Sequence, residues 1–308
     1  MDELHFIWYF FLLQLKAFFP YWIIGLITGS FLSVFGSAKI EATVAGLDTA
    51  KFSIGGTILA SLLGAVSPLC MYGTVPLVAA LGRKGLSEYL IAAFMVSSIL
   101  INPNLFIFSF ALGAPLALTR LFLSLAAGII AGTLIYLFFK TKKFFHFDNF
   151  ERQTKPKPRL PAVMLLLDDF YRAVRITGPY LIAGLLLTSI FERYLSQELV
   201  KIAFGNYRGL GIILAASLGV PIYVCGGGTI PILKGWLDSG MEPGAAVAFM
   251  ITGPATKVTN LSAVKIILGI KNLILFIAFN FVFAILSGIL IDWIYLIVSH
   301  NTIILIHR

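Results

Sequence analysis

The sequence predicts an all-α polytopic membrane protein made of two homologous repeats, each with broken, re-entrant helices. Three observations predict it. Of 308 residues, 59% are hydrophobic and 12% charged, where a soluble domain carries about 25% charge. The chain contains long charge-free runs, and its two halves repeat each other at a fixed spacing.

The charge-free runs are Ala17 to Ala38, Phe52 to Gly82, Tyr89 to Thr119, Leu121 to Phe139, Ile176 to Phe191, Gly209 to Leu233, Pro243 to Thr256 and Asn272 to Ile291. Most reach the ~20 residues that a helix needs to cross a bilayer. Ahead of them, MDELHFIWYFFLLQLK has Asp2 and Glu3 where a secretory signal would be basic. It reads as an amphipathic lead-in lying in the interface.

The formal net charge is +9, and it is concentrated. Residues 140–175 hold nine Lys/Arg and four Asp/Glu between two spans, which marks a cytoplasmic loop and argues against a nucleic-acid partner. Within it KPKPRLP (155–161) cannot continue a helix. The chain therefore divides into a first membrane repeat (1–139), a basic cytoplasmic linker (140–161) and a second membrane repeat (162–308), in a multi-pass protein of a prokaryotic-type inner cell membrane.

At an offset of 155 residues, LASLLGAVSPLCMYGTVPL (59–77) falls on LAASLGVPIYVCGGGTIPI (214–232). Cys70 meets Cys225, Gly73 meets Gly228, Thr74 meets Thr229 and Pro76 meets Pro231. In the same register Gly85 falls on Gly240 and AFM (93–95) on AFM (248–250). PYWIIGL and AGTLI of the first half match PYLIAGL and SGILI of the second. Repeats of this length are typical of secondary transporters, whose halves rock about a site near the midplane.

Each half reads as a span, a broken segment holding CxxGT[VI]P, a second broken segment after AFM, and a closing span. Pro68, Gly73 and Pro76 are expected to interrupt the first broken segment. If that segment dips in and returns, each half crosses three times and the halves are inverted. Four full crossings would make them parallel. The flanking charges favour inversion: Arg83, Lys84 and Glu88 sum to +1 and suit the cytoplasm, while Lys234, Asp238 and Glu242 sum to −1.

Cys70 and Cys225 lie beside the breaks, and thiolates are soft ligands suited to a thiophilic centre. The alternative is that each is a small buried hydrophobe. Gly226, Gly227 and Gly228 ahead of Thr229 can form a backbone nest for an anion or polar solute, or simply allow close helix contact. The first half has Met71 and Tyr72 there instead, so Tyr72, with Gly73 and Thr74, makes an unequal tip that suits a gate.

Lys257 is placed near the middle of an apolar segment, where an ammonium costs about 2.5–3.5 kcal/mol on insertion scales. It should face a cavity, a partner or an anionic solute, unless a helix break at Gly253 and Pro254 lets it snorkel. Its counterpart is Asn102. Thr252, Thr256, Thr259 and Asn260, with Ser97, Ser98 and Asn104, add polar groups to the same breaks. Asp292 lies near the end of the last span and Asp168 and Asp169 precede the second half, so none is a centred carboxylate for a proton relay.

No Walker-type loop, metal-ligand cluster or Ser/His/Asp set appears, and His5, His146, His300 and His307 fall in termini or the linker. Two cysteines make no disulfide framework. The expectation is a non-enzyme without cofactor or resident metal, with the lipid bilayer and a small-molecule solute as partners; a homo-oligomer is compatible with it.

The pattern PLC...VPL...G...AFM, followed by CGGGTIPI...G...GAAVAFMITGPAT, resembles the predicted permeases of the arsenical-permease family, which include bacterial organoarsenical efflux proteins. The resemblance runs across both halves. It implies efflux of trivalent organoarsenicals or related metalloids, hence arsenic resistance, with Cys70 and Cys225 as candidate metalloid ligands. The expected function is a permease for a small thiophilic or anionic solute, working by alternating access around the paired motifs. The competing expectations are a transporter of sulfur-containing anions, an intramembrane thiol enzyme using Cys225, and a membrane partner that transports nothing.

Overall fold

The computed structural model describes residues 7–13, 15–16, 19–20, 23, 27, 54–67, 69, 71–83, 85–139, 143–146, 163–168, 170–171, 174–175, 182, 186, 202, 204, 210–223 and 229–306. Cys70, Cys225, Gly226, Gly227, Gly228 and the linker prolines lie outside the described residues. Among those described, every regular element is helical. The first half contributes α1 (Ile54–Val66), α2 (Met71–Arg83), α3 (Glu88–Leu100), α4 (Pro103–Ser109) with a 3₁₀ turn (Phe110–Leu112), and α5 (Ala114–Phe138). The second contributes α6 (Leu210–Ile222), α7 (Thr229–Asp238), α8 (Pro243–Thr256) and α9 (Val258–Ile306), which is kinked at Gly269 (φ 68°, ψ 176°). Glu88–Leu112, Ala114–Phe138 and Val264–Ile297 are long and apolar enough to cross a membrane.

One expectation needs correction. Gly73 and Pro76 do not interrupt a helix, because α2 begins at Met71 and runs through both. Pro76, the sixth residue of α2, has no N–H to donate to the carbonyl of Tyr72, and the helix carries that one missing bond without ending. In the second half Pro231 falls in the first turn of α7, the position proline tolerates best.

The core is built on α3 and α8. Every residue from Tyr89 to Leu100 and from Gly244 to Thr256 is buried, so neither helix has a polar face. Around α3 pack α1, α2 and α5; around α8 pack α6, α7 and α9. Glycines set the separations, as small residues do between membrane helices. A Cβ on Gly132 would stand 2.7 Å from the carbonyl oxygen of Tyr89, and one on Gly128 would stand 2.7 Å from that of Ala93. Gly288 meets the carbonyl oxygen of Gly244 at the same 2.7 Å. Between the halves α3 touches α8, α2 lies against α9, and α7 lies against the 3₁₀ turn.

Hydrogen bonds fix which ends lie together. The N–H of Phe144 donates to Oε2 of Glu88 at 2.8 Å, so residues 143–146 cover the start of α3. Nδ2 of Asn272 donates to the carbonyl of Phe144 at 2.6 Å, and the N–H of His146 donates to that of Ile267 at 2.7 Å. The Gly269 kink is therefore at that same end. At the other end of the span, the N–H of Gly244 donates to Oδ1 of Asp292 at 2.7 Å. Asp292 is twenty helical residues beyond Asn272, or about 30 Å at 1.5 Å per residue. So α3 and α8 start at opposite ends of the bundle.

Candidate functional site

Each central helix stops inside the bundle. After α3 come two extended residues, Ile101 (φ −145°, ψ 143°) and Asn102 (φ −142°, ψ 169°), before Pro103 opens α4. A residue preceding proline is driven away from the helical region, and proline suits the first turn of the next helix. Asn102 caps α4, its Oδ1 accepting from the N–H of Leu105 at 2.9 Å. After α8 the interruption is one residue, Lys257 (φ −52°, ψ 134°). It falls later than Gly253 and Pro254, which stay helical; Gly253 is required there because the ring of Tyr223 occupies the space a Cβ would take. The carbonyls of Asn102 and Lys257 play one role, accepting from the N–H groups of Phe106 and Leu261, both at 2.9 Å.

Around the first break, Thr74 of α2 and Ser98 of α3 share a hydrogen bond of 2.9 Å, and both are buried. Ser97 Oγ donates to the carbonyl of Ser61 at 2.7 Å, and Ser61 Oγ to that of Leu125 at 2.9 Å, lacing α3, α1 and α5 together. Around the second, Thr252 and Thr256 turn back to the carbonyls of Ala248 (3.0 Å) and Thr252 (2.7 Å). Asn260 Nδ2 reaches the carbonyl of Pro254 at 2.7 Å, supplying a donor that the broken helix no longer provides.

A residue that sequence reasoning missed completes the first break. Arg120 is only 1% exposed although it lies in the membrane-length helix α5, about 9 Å along its axis from Ala114. Its NH1 donates to Ser109 Oγ at 3.0 Å and its NH2 to the carbonyl of Leu100, the last residue of α3, at 3.4 Å. The signal was available: Arg120 is the lone charge separating the runs that end at Thr119 and begin at Leu121. An ionisable residue within a span is by default a candidate functional residue.

Both central helices are consequently bracketed by charge in the favourable sense, acid at the amino end and base at the carboxyl end. For α3 the pair is Glu88 and Arg120; for α8 it is Asp292 and Lys257.

Of the expected site residues, Thr74 and Asn102 adjoin the first break, and Thr256, Lys257 and Asn260 the second. Thr74, Thr256 and Asn260 are buried, whereas Lys257 and Asn102 are half-buried. Thr229 is buried at the start of α7. Tyr72 and Gly73 lie in the first turn of α2. Among the described residues no group of three or more His, Cys, Asp or Glu is placed to hold a metal.

Comparison with known proteins decides the family. The family model described as "Predicted permease" (ArsP_1) matches residues 3–293. The chain belongs to this predicted-permease family. Over 256 residues, 80% of the chain, it is 23% identical to a "Putative two-component membrane permease complex subunit" of Streptococcus mutans, covering 81% of that protein. It is also 31% identical over 91 residues, 29% of the chain, to "UPF0718 protein YcgR" of Bacillus subtilis; that match spans about a third of the Bacillus protein, 31% of its length. No solved structure matches the chain significantly. A predicted permease with apolar, membrane-length helices is a membrane protein, so the two breaks are features of a permease and the bilayer is its solvent.

Proposed function

We propose that this permease is a secondary transporter of efflux type, moving a small thiophilic or anionic solute such as an organoarsenical or another metalloid species by alternating access between two inverted repeats. The observation that carries the reading is the pair of interrupted central helices. They start at opposite ends of the bundle, touch each other, and break in their interior at Ile101–Asn102 and at Lys257. Interrupted helices at membrane depth are tolerated where they line a cavity or are buried in protein, and transporters use them as binding sites.

Backbone geometry supports the repeat. The positive-φ glycines recur, Gly85 (92°) with Gly240 (100°) and Gly113 (109°) with Gly269 (68°), at spacings of 155 and 156 residues. A Cβ on Gly132 would meet Tyr89 and Thr57; one on Gly288 would meet Gly244 and Ile212, the counterparts in the second half. Reciprocal packing of α2 on α9 and of α7 on the 3₁₀ turn is what a pseudo-two-fold axis requires. In this reading Cys70 to Pro76 and Cys225 to Pro231 hold the solute, while Lys257 and Asn102 set its charge preference.

The test is binding and flux in proteoliposomes with Cys70→Ser, Cys225→Ser and Lys257→Ala. Each is expected to lower solute flux at least tenfold; unchanged flux in all three removes the site. Inversion has its own test in a cysteine-free background. Single cysteines replacing Ser87 and its register counterpart Glu242, neither of them buried, should label from opposite sides of the membrane, and labelling from one side would make the repeats parallel. The Streptococcus relative is named as a complex subunit, which supports a second reading in which this permease works with a further membrane component; co-purification of a stoichiometric partner from native membranes tests it.

A further inference from the structure

The guanidinium of Arg120 is buried and cationic. The groups it meets are neutral, a hydroxyl and a helix-end carbonyl, and among the described residues no carboxylate pairs with it. Its Nε, also buried, has no hydrogen-bond partner. One turn further along α5, on the same face, stands Ser124, 1% exposed, and its Oγ has no partner either.

Among the described residues the other buried hydroxyl without a partner, that of Ser67, lies just past the end of α1 and outside a helix. Ser109, Thr133, Ser217, Thr252 and Thr256 all turn their hydroxyls back to the carbonyl four residues earlier, the ordinary way for a hydroxyl to be satisfied inside an apolar helix. Ser124 does not. Residues four apart lie on one helix face with their Cβ atoms about 5–6 Å apart, so Ser124 stands next to Arg120. Two buried donors, one cationic, thus stand unpaired on one helix face beside the α3–α4 break. An unmade buried hydrogen bond is costly, and a buried charge without a counter-charge costlier still. The group that satisfies both has two acceptor oxygens and negative charge.

Resting on the anionic branch of the permease reading, we propose that Arg120 and Ser124 form the seat for the oxyanionic group of the solute. Arg120 then supplies the positive charge of the first half, beside Asn102, whose Oδ1 caps α4. An oxyanion takes Nε–H of Arg120 and the Ser124 hydroxyl together, while NH1 and NH2 keep their bonds to Ser109 and Leu100.

The experiment measures thermal unfolding of the purified full chain in a neutral detergent at constant ionic strength. Chloride is replaced in turn by arsenate, methylarsonate and thiosulfate, with a parallel arm of added phosphatidylglycerol. At least one free oxyanion is expected to raise the wild-type midpoint. Arg120→Gln should abolish that shift, and Ser124→Ala should weaken the apparent affinity about tenfold, the scale of one charge-assisted hydrogen bond. If Arg120→Gln does not fold, Arg120→Lys and Ser124→Ala decide, and wild-type affinity in both overturns the proposal. A shift that survives in Arg120→Gln but is lost in Lys257→Ala overturns the Arg120 seat and leaves an anion permease. Stabilisation by the lipid alone overturns a solute seat in favour of a headgroup. If no oxyanion acts on the wild type, the anionic branch falls with it.

Discussion

The two helix breaks solve one problem with unrelated side chains. A helix that ends inside a membrane protein leaves carbonyls without donors and a partial negative charge at its end. At the first break the remedy arrives from another helix, when Arg120 of α5 reaches the carbonyl of Leu100. At the second it is local: Lys257 is itself the break, and Asn260, six residues past Pro254, donates to that proline's carbonyl. The position 156 residues after Arg120 holds Phe276, and the one 155 residues before Lys257 holds Asn102. Each half thus carries one cation at its break, at positions the repeat does not relate. In the inverted-repeat transporter proposed above, a symmetric backbone with asymmetric charge would suit a solute that has no symmetry.

The comparison can be broken most severely at the glycines. Gly132→Leu and Gly288→Leu both push a side chain into a backbone carbonyl at 2.7 Å, and overpacking of this kind costs about 1–3 kcal/mol or more. Both should lose the monodisperse peak in detergent size-exclusion, and a folded Gly288→Leu beside an unfolded Gly132→Leu would end the equivalence of the halves. The asparagines sharpen it next. Asn260 donates, so Asn260→Asp sets an acceptor against the Pro254 carbonyl and should destabilise by about 1–3 kcal/mol. Asn102 accepts, so Asn102→Asp should stay within about 0.5 kcal/mol of wild type by thermal unfolding. Equal losses at the two positions would contradict the opposite directions of these bonds.

A smaller effect is expected at the start of α8. Glu242 makes no side-chain cap there and Asp292 does the work from α9, so Asp292→Ala should cost about 1 kcal/mol, with Asp292→Asn recovering part of it. The least is expected at the Thr74–Ser98 bond. Thr74→Val and Ser98→Ala should each cost about 0.5–1.5 kcal/mol, and the double variant no more than the larger single one, a coupling that a double-mutant cycle reads directly.

Much of the architecture was legible because membrane helices advertise themselves by absence of charge, and because proline and glycine mark backbone that cannot be ordinary helix. Lys257 was found as a charge inside an apolar segment and Asn102 as its counterpart in register, and each stands at a break. Pro76 was misread because a proline inside a helix removes one hydrogen bond without necessarily ending the helix, as Pro254 within α8 does too. Arg120 was passed over because it separates two apolar runs and resembles a boundary; α5 continues through it from Ala114 to Phe138.

By itself the sequence determined that this protein lives in a bilayer, that its motifs recur 155 residues apart, and where its helices are vulnerable. Those properties are local, set by the transfer energy of each side chain and the dihedral limits of each backbone unit. Only the tertiary structure decided which groups repair the breaks, and that Asn102 accepts where Asn260 donates. Arg120 meets Leu100 twenty residues back along the chain, and Asp292 meets Gly244 forty-eight residues back. No pattern in the sequence encodes either pair, because each exists only once the helices have packed and left one carbonyl or one N–H without a partner.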